Sequence, residues 1–335
     1  MIQTFQNIDD IDKSQWESLL QQSSYKSAFQ TPECYDFYNS LSFMETFVAA
    51  VAEDEKLKGV VVGFILKDGG KIKQYLSRRA IIYGGPLLAE DISDEALFNL
   101  LHQTRTLLKN KAIYIETRNF EDYSKFKKQF AQSGFAYHPH YNFHINCSQW
   151  DDIENNMGKH RKRYIRLSLK NGATIIENPS LDQVKEYYHI LQDLYKTKIK
   201  MPLWPFQFFE NLFYSSFGHY FLIEYNGEII GGSACAILNN YCVYEWFACG
   251  RDGKYKNIYP SSITKYAGIK YASMNGFKRF DMMGAGAPND GGYGVRDFKA
   301  EFGGQLVEHG RFKYICNPFL YNIGKLGVAI IKKLK

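Results

Sequence analysis

The chain has 335 residues, of which 45% are hydrophobic and 23% charged. That excludes a disordered polymer and leads to the expectation of two domains of about 150 residues each. The formal charge of +6 is unevenly placed: residues 159–170 and 311–335 each hold six Lys/Arg and no acid, and the remainder sets 29 bases against 35 acids. Such asymmetry points to a polyanionic partner, whether RNA, phosphate groups or an anionic membrane face. The first twenty residues lack a basic start followed by an apolar run, so neither a signal peptide nor a first membrane span is expected, and a cytoplasmic place follows. The six cysteines form no CxxC pair, so buried or idle thiols are expected rather than disulfides or zinc.

In chain order, helices are predicted near Ile11 to Gln21 and Pro32 to Asn39. A meander of strands follows over Thr46 to Ala52, Lys58 to Leu66 and Lys71 to Leu76, separated by turn-forming acids and glycines. Next come a helix started by Asp91/Ser93, a strand Ala112 to Glu116, a helix Tyr123 to Gln132 stopped by Gly134, and a strand to about Cys147. The polar segment from Trp150 to Asn156 marks a boundary. Beyond it the order repeats: the basic helix 159–170, a strand Ala173 to Glu177, helices from Ser180 to about Lys198 and from Pro205 to Tyr214, then strands Tyr220 to Tyr225, Glu228 to Leu238 and Tyr241 to Ala248. A helix Pro260 to Asn275, a strand Lys278 to Met282 and a hairpin across Gly303-Gly304 complete it. The reading is therefore an α/β protein with mixed α+β sheets, in two halves of the same element order: domains at 1–150 and 151–317, with a basic amphipathic helix at 318–335. A ligand groove is expected between the halves.

That element order resembles the GNAT acetyltransferase fold in tandem, and several stretches resemble the FemAB family, the peptidoglycan-bridge aminoacyltransferases. They are Arg166-Leu-Ser-Leu-Lys170-Asn-Gly172, Tyr225-Asn-Gly-Glu-Ile-Ile-Gly-Gly232, Phe280-Asp281-Met-Met-Gly284 and, above all, Phe298-Lys299-Ala-Glu-Phe-Gly303-Gly304, with Phe29-Gln30-Thr31-Pro32-Glu33 and Gly85-Pro86 in the first half. The long helical hairpin that some members insert into the second half is missing. The resemblance implies an acyltransferase without a bound cofactor: an amine of a lipid- or nucleotide-linked peptidoglycan (cell-wall) precursor attacks the ester of an aminoacyl-tRNA. The loop Cys249 to Pro260 lacks the Gly-rich turn that holds the pyrophosphate of acyl-CoA in GNAT enzymes. Two other readings stay open: acyl-CoA-dependent acylation of an amino sugar or surface-polysaccharide precursor, and a catalytically silent, membrane-associated RNA- or glycan-binding protein.

Within this frame Lys299 and Asp281 are the catalytic candidates. Lys299 can bind a substrate phosphate or stabilise an oxyanion as a point charge, or be a surface lysine on a short helix. Asp281 can orient or deprotonate the attacking amine, or simply bond to the following turn. Gly284 and Gly286 form a GxG that either cradles phosphate or only turns the strand end. Phe298 is expected at the substrate site, and Tyr255 and Tyr259 either close the groove or pack in the core or at its rim. Lys198 and Lys200 lie where the family commonly carries an Arg, which suggests substrate binding. Lys159, Arg163, Arg166 and Lys170 recur every three or four residues, so they share one helical face that either holds tRNA phosphates or is merely solvated. His138, His140 and His144 read as one strand face, without the partners that metal binding needs. In the tail, Phe319, Ile323, Leu326, Ile330 and Leu334 form an apolar stripe flanked by lysines, fit either for docking on an anionic inner membrane or for packing on its own domain.

Overall fold

The computed structural model describes residues 1–67, 78–289, 291 and 293–333. The strand expected from Lys71 to Leu76 lies outside the described residues. Two compact units emerge, Met1–His140 with Glu308–Lys335, and Tyr141–Val307.

The first unit opens with β1 (Ile2–Phe5), α1 (Lys13–Gln22) and α2 (Pro32–Asn39). Local chemistry sets both helix starts: Asp12 accepts the Gln15 N–H, and Thr31 accepts the Cys34 N–H with Pro32 in the first helical position. The meander follows as β2 (Met44–Glu53), β3 (Lys56–Leu66) and β4 (Arg79–Gly84), with the short β5 (Leu87–Leu88). Helix α3 (Asp94–Leu108), capped by Ser93, leads to β6 (Tyr114–Asn119); α4 (Lys127–Gln132) and β7 (Ala136–His138) complete this stretch. Leu97, Leu100 and Leu101 of α3 are buried against Val51, Val61, Ile82 and Ile115 of the sheet. The β4–β6 pair is parallel, as a helical crossover between neighbouring strands requires. Ladder pairing of β3 with β4 covers Phe64↔Ile81 and Ile65↔Ala80. Beyond it the buried Gln30 side chain bridges the two strands, donating to the Val62 and Tyr83 carbonyls and accepting the Val62 N–H.

The second unit contains β8 (Tyr141–Asn146), α5 (Trp150–Asn156), α6 (Lys159–Lys170), β9 (Thr174–Ile176) and α7 (Leu181–Leu194), whose start carries a Ser180/Gln183 capping box. A π-helical turn Tyr195–Ile199 and α8 (Phe206–Tyr214) precede the meander β10 (Gly218–Tyr225), β11 (Glu228–Leu238) and β12 (Cys242–Gly250). Helix α9 (Pro260–Met274) crosses to β13 (Arg279–Asp281), which again runs parallel to its neighbour β12. Then come α10 (Tyr293–Ala300) and β14 (Gln305–Glu308). Its sheet runs β14-β8-β13-β12-β11-β10-β9. Each unit therefore repeats a three-strand meander, a crossover helix and a parallel strand, the α/β organisation read from the sequence.

The chain's last strand, β15 (Arg311–Ile315), returns to the first unit, whose sheet is β1-β2-β3-β4-β6-β15-β7 with β5 on β3. The helix α11 (Pro318–Lys333) follows. The sequence places the divisions at 150/151 and 317/318, whereas the chain passes between the units at 140/141 and 307/308. The hairpin expected across Gly303-Gly304 is not formed, because a helix and not a strand precedes the pair; β14 and β15, which follow it, belong to different sheets. Those glycines instead lead from α10 into β14, and Gly303 takes a φ of +80° with the Asn156 backbone pressed where a side chain would begin. Nor do the three histidines share a strand face: His138 lies in β7 of one sheet, His140 follows it, and His144 lies in β8 of the other.

Candidate active site

Strands β12 and β13 pair from Cys242↔Arg279 to Tyr244↔Asp281. Past that point β12 continues on β11 to Gly250 while β13 ends, so the sheet parts at Asp281. Charged side chains gather there in the interior.

Asp281 has no exposed surface. One carboxylate oxygen accepts the Met283 N–H at 2.7 Å, and the other lies 3.1 Å from His144 Nε2. Burial pushes its pKa up, but His144, Arg279 and the Met283 amide prevail and hold it below the usual carboxylate range. The turn after it places Met283 at a φ of +45° and Gly286 at +81°. Lys299, on α10, is 8% exposed and reaches back under this turn, donating to the carbonyls of Met282 (2.7 Å), Met283 and Gly284 (2.9 Å). Burial lowers its pKa to about 8, against an upward pull from Asp281. One turn earlier on the helix, Arg296 donates to the carbonyls of Ala285 (2.9 Å) and Ala287 (2.6 Å). Two cations of α10 thus hold five carbonyls of the segment 282–287.

Sequence reasoning missed three partners of this cluster. Glu245 of β12 and Lys265 of α9 form a buried ion pair, and Lys265 is driven well below the ordinary lysine range by burial and by nearby Lys299. Arg161 of α6 bonds Glu301 twice (3.1 and 2.9 Å), donates to Ser262 Oγ at 2.8 Å, and lays its guanidinium 4.4 Å over the Phe298 ring. A signal for Arg161 was present, because Arg161, Ile165 and Ser168 stand at helical spacing on the buried face of α6. No comparable pattern marks Glu245 or Lys265, whose types are ordinarily exposed.

The other candidates fall in several places. Phe298 packs on Arg161 and Phe302, which fixes α10 to α6. Gly284 is exposed at the turn, and Gly286 accepts the Tyr141 N–H. Tyr259 stacks on Tyr164 of α6 at 4.0 Å. Tyr255 packs on Tyr225 and donates to Glu228 at 2.7 Å, which makes it a strap on the β11 start. Lys198 and Lys200 are exposed at the π-helical turn, where Lys200 adopts a φ of +56°. Lys159, Arg163, Arg166 and Lys170 all lie exposed on α6, opposite Arg161. Among the described residues, no group of three or more His, Cys, Asp or Glu is placed to hold a metal ion. The cysteines are free, and burial pushes the Cys147 and Cys235 thiols up to about 12.

Comparison with known proteins adds three findings. Residues 216–327 match the FemAB family model. No curated protein matches the chain. Among solved structures, FemX superposes with a TM-score of 0.73 at 15% identity, over 96% of this chain and 99% of that one. A tandem GNAT protein from the clavulanic acid biosynthesis pathway gives 0.60 at 12% identity, over 95% and 99%. L-PGS from Bacillus licheniformis gives 0.59 at 12%, over 94% and 96%. At these identities the structural likeness concerns the fold. In β10 to β15 and the start of α11 the chain thus carries a segment that matches the FemAB family model and includes Asp281 and Lys299, within a fold that resembles those of FemX and of a tandem GNAT protein along nearly its whole length.

Proposed function

We propose that this chain is an N-acyltransferase that moves an amino acid from an aminoacyl-tRNA to an amine of a peptidoglycan precursor. The observation that carries the reading is that Asp281 and Lys299 hold the same turn, 282–284, where the strands part in the FemAB-matched segment. In the reaction the amine nitrogen attacks the ester carbonyl, a C–N bond forms, the bond to the ribose oxygen breaks, and that oxygen leaves as a hydroxyl with the proton the amine gives up. An activated ester needs mainly positioning and stabilisation of the developing oxyanion. Lys299 supplies positive charge beside the turn and fixes its shape, and Asp281 with His144 anchors the strand end from which the turn departs. The exposed stripe of α6 offers tRNA phosphates four cations in a row.

The absent Gly-rich turn at Cys249 to Pro260 supports an aminoacyl ester rather than acyl-CoA as donor. The likeness to a tandem GNAT protein favours acyl-CoA as the alternative donor. Incubating the protein with a nucleotide-linked precursor bearing a free amine, and separately with charged tRNA or acetyl-CoA, decides between them by mass. A gain equal to an amino-acid residue with charged tRNA is expected. A gain only with acetyl-CoA overturns the proposed donor.

A further inference from the structure

The first unit holds a second charged cluster, and its charges do not balance. Strand alternation turns Ile115 and Phe312 into the core of this unit, so Glu116 and Arg118 of β6 and Arg311 and Lys313 of β15 share the opposite face. Glu116 is 4% exposed and meets three cations: Arg118 Nε at 3.1 Å, Arg311 Nη1 at 3.2 Å and Lys313 Nζ at 3.1 Å. The remaining polar contacts are neutral. Arg118 donates to Tyr83 Oη at 2.8 Å, and Arg311 donates to His140 Nε2 at 2.8 Å, which makes that ring nitrogen an acceptor. Among the described residues no second carboxylate pairs with any of the three, which leaves two positive charges in excess. In addition, the Arg311 Nε–H is buried without a partner.

One cation would neutralise Glu116. Holding three on a face where their side chains are only 18–26% exposed sets like charges side by side with little water to screen them. A compact oxyanion of charge two or more cancels that excess, and the two guanidinium forks and the ammonium suit its oxygens. We propose that Arg118, Arg311 and Lys313 form an anion subsite in the first unit for a phosphate or diphosphate group, gathered around Glu116, whose single negative charge offsets one of the three. This site is distinct from the Lys299 cluster and does not depend on the acyl-transfer reading.

Calorimetric titration of the full chain with inorganic pyrophosphate at low salt tests it without turnover, so its failure leaves the acyl-transfer reading standing. Saturable binding is expected in the wild type. Arg311→Gln and Lys313→Met should each weaken it about tenfold or more, the equivalent of one charge-assisted hydrogen bond. Glu116→Gln, which removes the competing anion, should tighten it. Circular dichroism verifies folding, and if Arg311→Gln fails to fold, Lys313→Met and Glu116→Gln decide. Absence of saturable binding, wild-type affinity in folded Lys313→Met, or weaker binding in folded Glu116→Gln overturns the proposal. Parallel titrations with a nucleoside diphosphate and a water-soluble prenyl diphosphate identify the source: tighter binding of the first than of pyrophosphate points to a soluble precursor, and of the second to a lipid-linked one.

Discussion

A lysine ammonium has three N–H donors, and Lys299 gives all of them to backbone carbonyls of Met282, Met283 and Gly284. To bind a substrate oxygen directly it must exchange one of these, and the Gly284 carbonyl, on an exposed residue, is the easiest to release. Lys299→Met should therefore affect two quantities at once. Leaving these carbonyls partly unpaired costs about 2 to 4 kcal/mol of stability, and loss of charge at the turn slows turnover on the order of 10² to 10³-fold. Thermal melts and rates per folded molecule separate the two; normal turnover in a destabilised variant assigns Lys299 to structure alone. The sequence marked this lysine through its Phe-Lys-x-x-Phe-Gly setting but not its burial, since composition places lysines at surfaces. Glu116 gives a test with a defined sign. Burial alone would raise its pKa, but Arg118, Arg311 and Lys313 bring it from 4.5 down to about 2. Since the folded value is the lower, the contribution is complete above pH 4.5 and is lost as pH falls from there through 2. At about 1.4 kcal/mol per pH unit it amounts to about 3 kcal/mol. Glu116→Gln should flatten the fall in stability between pH 4.5 and 2, and an unchanged slope shows that the carboxylate is not held this way.

Elements whose identity is set locally were legible: the helix beginning at Pro32, the helix beginning after Ser180, the first two strands of the first meander and the whole of the second stand in the sequence and in the fold. Elements whose partners lie far away were not. Nothing in Arg311–Ile315 specifies insertion between β6 and β7, because alternation fixes which face a residue takes and not which strand lies beside it. The Gly303-Gly304 pair read as a hairpin for the same reason, a turn signal without its neighbours. The tail helix divides along its first turns. Leu320 is buried and Tyr321 meets Tyr114 at 5.6 Å, while Phe319 is 72% and Ile323 41% exposed; the side chains of Leu326, Ile330 and Leu334 lie outside the described residues. No described helix is long and apolar enough to cross a membrane. If the open side of α11 docks on an anionic leaflet, each nearby lysine contributes about 1 kcal/mol, screened over about 8 Å at physiological salt. Deleting residues 318–335 should then release the protein from phosphatidylglycerol vesicles, and salt should do the same to the full chain. Sedimentation with vesicles reads both, and equal binding with and without the tail sinks the idea.

At the scale of the whole chain, the two units differ in how they are written in the sequence. Every strand of the second sheet, β8 to β14, comes from one continuous stretch, whereas the first sheet needs β15 from the far end of the chain. That strand is no accessory. It lies between β6 and β7, pairing Lys313↔Glu116 on one side and Phe312↔Tyr137 on the other, and Phe312, 1% exposed, stacks on Phe130 at 3.9 Å. Without it, β6 loses one of its neighbours, β7 loses its partner in the sheet, and a core aromatic is gone; a Phe removed from a core costs about 3 to 5 kcal/mol by itself. Set against the 5 to 15 kcal/mol that typically holds a domain together, the loss is large enough to abolish folding. A fragment of residues 141–308 should accordingly show a single cooperative thermal transition, while 1–140 should show none. Adding a peptide of residues 308–317 to the shorter fragment restores the missing strand, and a transition should then appear whose midpoint rises with peptide concentration, because binding to the folded form alone stabilises by mass action. A cooperative transition in 1–140 without the peptide would mean that the first unit folds around β1 to β7, with β15 added afterwards.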